Sequence, residues 1–108
     1  MIQQDAQFTV DSQTIEGVCT LVVRGEVDLA SADTLAAALE AAQQSDAERI
    51  LLDFSDVAFL DSSGIRVMLA AMKYSREHGG RLRMSGGYTS QVQRVLEVTG
   101  VIDSLPHV

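Results

Sequence analysis

Two adjacent serines, Ser62 and Ser63, stand directly in front of a predicted helix. The apolar residues after them recur with helical spacing and would share one face, at Ile65, Met68, Leu69 and Met72. A helix N-terminus has unpaired N–H groups and the positive end of the helix dipole. A hydroxyl there can cap the helix, and a phosphate there would be tolerated because the same N–H groups bind anions. Ser62 is therefore either a cap or a switch.

The positions of the two histidines argue against a serine hydrolase. His78 lies sixteen positions after Ser62 on the same predicted helix, roughly 24 Å away at about 1.5 Å per residue, which is too far for a general base. His107 falls in the C-terminal tail, and the Gly-x-Ser-x-Gly elbow is absent. No metal-ligand cluster or phosphate-binding glycine loop is visible in the sequence. We predict a protein that is not an enzyme and uses no cofactor or metal.

The composition limits the classes of partner. A chain of 108 residues is predicted to form one domain. Its net charge of −7, from 15 acidic and 8 basic residues, argues against direct nucleic-acid binding. The single cysteine, Cys19, lies in an apolar run and is predicted to be a small core residue, with a redox thiol as the alternative. Without a signal-peptide pattern or a membrane-length apolar run, we expect a soluble, cytoplasmic protein.

Strands and helices alternate along the chain. We predict strands at Phe8–Val10, Val18–Arg24, Arg49–Phe54 and Arg81–Met84. The helices follow the second, third and fourth of these strands, so the order is β-β-α-β-α-β-α. The third strand contains a continuous apolar run, Ile50-Leu51-Leu52, which is typical of a central parallel strand buried on both faces. The fold class is therefore α/β, with a small mixed, mostly parallel sheet and helices packed on it.

Small and polar residues predict where these elements begin and end. Gly25 is expected to end the second strand, and Ser31 to cap the first helix. Gly79-Gly80 is expected to stop the second helix, and Gly100 to follow the third. Val101-Ile102 is expected to begin a last strand.

Two motifs together resemble the STAS domain, the small α/β fold of anti-sigma factor antagonists. The first is Gly25-Glu26-Val27-Asp28, followed by a serine that opens a helix. The second is Phe59-Leu60-Asp61-Ser62-Ser63-Gly64-Ile65. Each motif is weak alone, and the pair is fairly specific. The resemblance is strongest over residues 8–102 and implies that residues 1–108 form a single STAS domain.

The resemblance implies a partner-switching regulator of bacterial transcription. In that family, the unphosphorylated antagonist binds an anti-sigma factor that is a serine kinase, and this frees the sigma factor. The kinase then phosphorylates the first serine of the Asp-Ser-Ser-Gly element, the complex separates, and a PP2C-type phosphatase resets the system. By position the phosphoacceptor here is Ser62. The residues expected to bind the partner are Asp28, Asp61, Ser63, Gly64 and Arg66.

Alternatives remain within the same fold. Some STAS domains are adaptor subunits of stress-sensing or lipid-transport complexes and need no serine phosphorylation. Asp28 is equally well explained as a turn residue, and Arg66 stands where some relatives have a small residue. Members of the family usually have a further C-terminal helix, whereas this sequence stops at Val108. We therefore expect either a short version of the domain or a trimmed one.

Overall fold

A computed structural model describes residues 8–108, which form a mixed four-stranded sheet with helices packed against it. The elements are β1 (Phe8–Ile15), β2 (Val18–Val27), α1 (Leu29–Gln44), β3 (Arg49–Leu60), α2 (Ser62–Glu77), β4 (Leu82–Ser85) and α3 (Ser90–Val98), followed by a 3₁₀ helix (Val101–Ser104). The strand order is β1-β2-β3-β4, with β1 antiparallel to β2 and the other pairs parallel. The predicted α/β class and mixed, mostly parallel sheet are confirmed.

The core lies between the sheet and the helices. Alternate strand residues point into it, and so do the apolar stripes of α1 and α2, except for Leu69, which is 38% exposed. The largest fully buried side chains include Phe54, Leu21, Leu35, Ile50, Leu52, Met68 and Met72. Cys19 is buried among them, as predicted. The β3 strand is central, also as predicted, but Leu51 and Asp53 on its far face are only half-buried. The expectation that both faces are fully covered was therefore wrong.

Strands β1, β2 and β3 extend further than the sequence pattern predicted. Gly25 does not end β2, because the strand continues to Val27. The pairing with β3 shifts register between Val22 and Arg24 and again between Gly25 and Glu26. Gly25 has a φ of 98°, a conformation that favours glycine and is typical of a β-bulge. The bulges let the strand bend and go on pairing, so β2 reaches the same edge of the sheet as β3.

The predicted helix-ending glycines are confirmed. Helix α2 ends at Glu77, His78 is its C-cap, and Gly79 follows with a φ of 102°. Helix α3 is capped by Thr99, and Gly100 follows with a φ of 78°. Both glycines adopt the left-handed conformation that turns a chain out of a helix.

The predicted last strand at Val101-Ile102 was wrong, because these residues begin the 3₁₀ helix. Val101 is buried there, so tertiary packing overrides the strand propensity of a β-branched residue. The strand-like contact comes later, where His107 forms an isolated parallel bridge with Met84. The His107 Nε2 atom lies 2.7 Å from the Tyr88 hydroxyl, and burial raises the pKa of Tyr88 to about 12.

No helix among the described residues is long and apolar enough to cross a membrane.

Candidate functional site

The starts of α1 and α2 lie side by side at the carboxyl edge of the sheet. Val27 ends β2, Leu60 ends β3, and these two residues are paired in the parallel register. The Asp61 N–H donates to the Val27 carbonyl at 3.2 Å, which holds the two strand ends together. Each strand is followed at once by an aspartate that caps a helix, Asp28 for α1 and Asp61 for α2. The two predicted motifs are therefore brought to one place.

Ser62 is not the cap of α2. Asp61 is the N-cap, and its Oδ1 accepts hydrogen bonds from the N–H groups of Ser63 at 2.9 Å and Gly64 at 3.4 Å. Ser62 is the first helical residue and is exposed to solvent. Among residues 8–108, its hydroxyl has no hydrogen-bond partner. The alternative that Ser62 serves only as a cap was therefore wrong, and its hydroxyl is left accessible.

The predicted cap of α1, Ser31, was also wrong. Asp28 is the N-cap, with its Oδ1 accepting from the N–H groups of Ala30 at 3.0 Å and Ser31 at 3.2 Å. Ser31 is the third helical residue, and its buried hydroxyl accepts from the Asp28 N–H at 3.0 Å and donates to the Glu26 carbonyl at 2.8 Å. Asp28 and Ser31 therefore form a capping box. The helix begins earlier than predicted because β2 runs on to Val27 and leaves no loop.

Gly64 is the point where α2 rests on the strand ends. A Cβ atom at this position would lie 2.5 Å from Leu60 Cδ1 and 2.5 Å from Val27 Cγ1. Real Cβ atoms essentially never come so close to another heavy atom, so glycine allows this approach. Gly64 is buried, so its role in this structure is in packing. Its contact with a partner remains a prediction.

Two polar residues of the α3 region support β3 where β4 has already ended. The Gln91 Oε1 atom accepts from the Leu60 N–H at 3.0 Å, and its Nε2 donates to the Leu60 carbonyl at 3.4 Å. The Thr89 hydroxyl donates to the Val57 carbonyl at 2.7 Å. The sequence analysis missed both residues, because a polar side chain at the start of an amphipathic helix is usually read as solvent-facing.

Charged residues surround the exposed hydroxyl unevenly. Asp61 precedes Ser62, Asp28 caps the neighbouring helix, and both are half-buried, whereas Arg66 is exposed one turn along α2. In the described part of the chain, Arg66 takes part in no ion pair, while Arg24 binds Asp56 at 3.4 Å. Of the predicted partner-binding residues, Ser63 is half-buried and Arg66 is the most accessible. Residues 8–108 hold no group of three or more His, Cys, Asp or Glu side chains that could bind a metal ion.

Comparisons with known proteins find relatives in sequence and in fold. The anti-sigma-B factor antagonist of Listeria monocytogenes is 30% identical over 83 residues, which are 77% of this chain and 72% of that protein. The crystal structure of an anti-sigma factor antagonist from Mycobacterium paratuberculosis matches with a TM-score of 0.79 at 24% identity, covering 93% of this chain and 84% of that one. The phosphorylated form of the Bacillus cell fate determinant SpoIIAA matches with a TM-score of 0.66 at 20% identity, covering 94% and 90%. These two structural likenesses show the fold. The family model of the STAS domain matches residues 9–108, and the chain therefore belongs to the STAS domain family.

Proposed function

We propose that this protein is an anti-sigma factor antagonist controlled by phosphorylation of Ser62. In its unphosphorylated form it binds an anti-sigma factor serine kinase and frees the sigma factor, and the phosphate on Ser62 releases the complex. A PP2C-type phosphatase restores the binding form. The observation that carries the proposal is the exposed Ser62 hydroxyl. This hydroxyl does not cap α2, because Asp61 is the N-cap. The Listeria relative, which is itself named an antagonist, supports the regulatory half, and the phosphorylated SpoIIAA supports the switch.

A phosphate on Ser62 would add about −1.5 to −2 charges and three acceptor oxygens. The helix N-terminus favours an anion by about 0.3–1 kcal/mol at an exposed site. That attraction is weakened here because Asp61 already accepts from the Ser63 and Gly64 N–H groups. The carboxylates of Asp61 and Asp28 oppose the new charge. The phosphate is therefore expected to project into solvent and not to fold back onto the helix.

The backbone under Ser62 is held from several sides. The Asp61 N–H is bonded to β2, the Leu60 backbone is bonded to Gln91, and Gly64 packs on the strand ends. Phosphorylation is therefore expected to change the charge of this surface without rearranging the fold. Its effect falls on the docked partner, since a charge buried without compensation in an interface costs about 2–5 kcal/mol. At about 1.4 kcal/mol per tenfold change in affinity, this cost is enough to release the partner.

A phosphorylation and binding experiment tests the proposal. Incubation with the anti-sigma factor kinase and ATP should add one phosphate to the wild-type protein and none to Ser62→Ala, as measured by intact mass. Ser90 provides a matched control, because it is also an exposed first residue of a helix, α3. Ser90→Ala should accept the phosphate normally.

Binding of the same kinase then tests the consequence. Ser62→Ala should bind like the unphosphorylated wild type, and Ser62→Asp should bind at least tenfold more weakly, whereas Ser90→Asp should keep most of the affinity. Equal binding by Ser62→Ala and Ser62→Asp would contradict the switch. If the kinase adds no phosphate to the wild-type protein and Ser62→Asp binds as tightly as Ser62→Ala, an adaptor role in a stress-sensing or lipid-transport assembly is favoured instead.

A further inference from the structure

A groove of about 440 Å³ lies between the second half of α1 and the middle of α2. Most of the side chains that line it are apolar, and they belong to Ala36, Leu39, Val67, Ala70, Ala71 and Tyr74. Three of these residues are alanines, whose short side chains leave space between the helices that longer side chains would fill. Concave, mostly apolar sites of this size are typical of small-molecule binding.

Gln43 places a buried amide in the wall of this groove. The residue is only 8% exposed, and it lines the groove together with Ala71. Its Nε2 atom donates to the Ala71 carbonyl at 3.1 Å and so links α1 to α2. Its Oε1 atom accepts no hydrogen bond from any of residues 8–108. A buried acceptor without a donor is unfavourable, and the groove is the space from which a ligand could supply that donor.

The charges along the groove have opposite signs. Glu40 on α1 and Arg66 on α2 both line it and are both exposed. In the part of the chain that the structure describes, neither takes part in an ion pair. Because one charge offsets the other, the groove favours neither an anion nor a cation.

An aromatic side chain is held in place at the far end of the groove. Tyr74 is the last α2 residue of the lining, and its ring stacks on His78 with 3.9 Å between the ring centroids. The groove therefore offers an aromatic surface as well as aliphatic ones.

We infer that this groove binds a small neutral molecule with an apolar body and one hydroxyl group. The apolar walls would bury the body, and the Gln43 Oε1 atom would accept from the hydroxyl. A ligand without a donor would leave this oxygen unpaired, and a carboxylate would bring a negative charge close to it. Ethers and carboxylates of the same shape are therefore expected to bind more weakly than the alcohol.

The groove is distinct from the surface around Ser62. Its nearest α2 residue, Arg66, lies one helical turn beyond Ser62, and the groove continues from there towards the C-terminal end of the helix. The inference does not depend on a kinase or on phosphorylation, so it can be tested on the protein alone.

Two matched probes test the inference. β-Naphthol and its methyl ether share one aromatic ring system, but only the alcohol has an O–H donor. Each is titrated into the isotope-labelled full chain while the backbone amide signals are followed by NMR. The alcohol should shift the signals of Gln43, Gln44 and Ala71, and it should bind roughly fivefold or more tightly than the ether.

Three variants locate the site. Ala70→Leu should fill the groove and weaken binding of the alcohol roughly tenfold or more. Ala41→Leu is its matched control, because Ala41 is also an exposed helical alanine but does not line the groove; it should bind within roughly twofold of wild type. Gln43→Met keeps the side-chain length but removes the amide, so it should bind the alcohol and the ether equally. Circular dichroism verifies that each variant is folded.

Several results would overturn the inference. Equal affinity of the wild-type protein for the alcohol and the ether would show that the Gln43 oxygen selects no donor. Undiminished binding by Ala70→Leu, or shifts confined to residues outside the groove, would place the ligand elsewhere. If neither probe binds, the groove is not a site for this class of molecule. The switch at Ser62 is measured separately with the kinase and stands or fails independently of these results.

Discussion

The starts of α1 and α2 share one architecture and differ in what their side chains are left to do. Both follow the end of a parallel strand, and both are capped by an aspartate. At α1 the third helical residue is Ser31, whose buried hydroxyl closes the capping box. At α2 the third residue is Gly64, which has no side chain, and the accessible hydroxyl belongs instead to the first residue, Ser62.

The difference shows that the same aspartate-capped helix start can use a serine hydroxyl for stability in one helix and leave a serine hydroxyl exposed in the other. In α1 the hydroxyl is committed to two backbone groups. In α2 the carboxylate of Asp61 performs the capping alone, and close packing at Gly64 fixes the helix against the strands. The α2 start therefore keeps an exposed hydroxyl on a firmly held backbone.

Of the changes at the two helix starts, a side chain added at Gly64 is expected to lower the free energy of unfolding most. Gly64→Val would push carbon atoms into Leu60 and Val27. Overpacking of this kind costs about 1–3 kcal/mol and occasionally more, and we expect the upper end of that range here. Urea unfolding should show the loss. The matched control is Gly87→Val, because a Cβ at Gly87 meets nothing within 4 Å; it should change the free energy of unfolding by less than about 0.5 kcal/mol. Equal losses in the two variants would refute the packing role of Gly64.

The next effect is expected at the α1 start, from Ser31→Ala. The variant leaves the partly buried Glu26 carbonyl and the Asp28 N–H without their partner, so we expect a loss of about 1–2 kcal/mol in the free energy of unfolding. Ser63→Ala is the comparison at α2, because the Ser63 hydroxyl has no hydrogen-bond partner among residues 8–108. It should cost less than about 0.5 kcal/mol. If Ser63→Ala is the more damaging, the two helix starts have been assigned the wrong roles.

The two caps themselves should be equivalent. Asp28→Ala and Asp61→Ala should each destabilise the protein by about 1 kcal/mol, and Asp28→Asn and Asp61→Asn should each retain most of the stability, because asparagine caps as well as aspartate. Thermal unfolding of the four variants measures this. A large loss in the asparagine variants would mean that the charge, and not the hydrogen bonds, holds the helix starts.

The smallest effect on stability is expected at Ser62. Ser62→Ala should change the free energy of unfolding by less than about 0.5 kcal/mol, since the hydroxyl is exposed and does not cap the helix. Amide hydrogen exchange of Ser63 and Gly64 should also be unchanged, because their hydrogen bonds go to Asp61. A clear loss of protection there would show that the serine supports the helix after all.

Local patterns in the sequence predicted much of this arrangement. The apolar stripe and the Asp-Ser-Ser-Gly segment placed the start of α2, and the glycines placed its end. The start of α1 was predicted three residues too late, because nothing local shows that β2 bends at Gly25 and continues. When the strand end moves, the capping residue moves with it, from Ser31 to Asp28.

The contacts that could not be predicted join residues far apart in the chain. Gln91 forms hydrogen bonds with the backbone of Leu60, 31 positions away. Neither residue type indicates that the other will be its partner. The position of Leu29 as the first residue of α1 was not predicted either, because the sequence pattern placed the helix start after it, at Ser31. Such features depend on where separate elements meet in space.

The side chains of Thr89 and Gln91 also bear on how the domain avoids aggregation. Because β4 is short, the later half of β3 would present free backbone groups, and exposed strand edges are templates for pairing with other chains. Thr89 occupies the Val57 carbonyl, and Gln91 occupies both the N–H and the carbonyl of Leu60. The α3 region thus shields the central strand close to Ser62, so another chain cannot readily add a strand to the sheet at this edge.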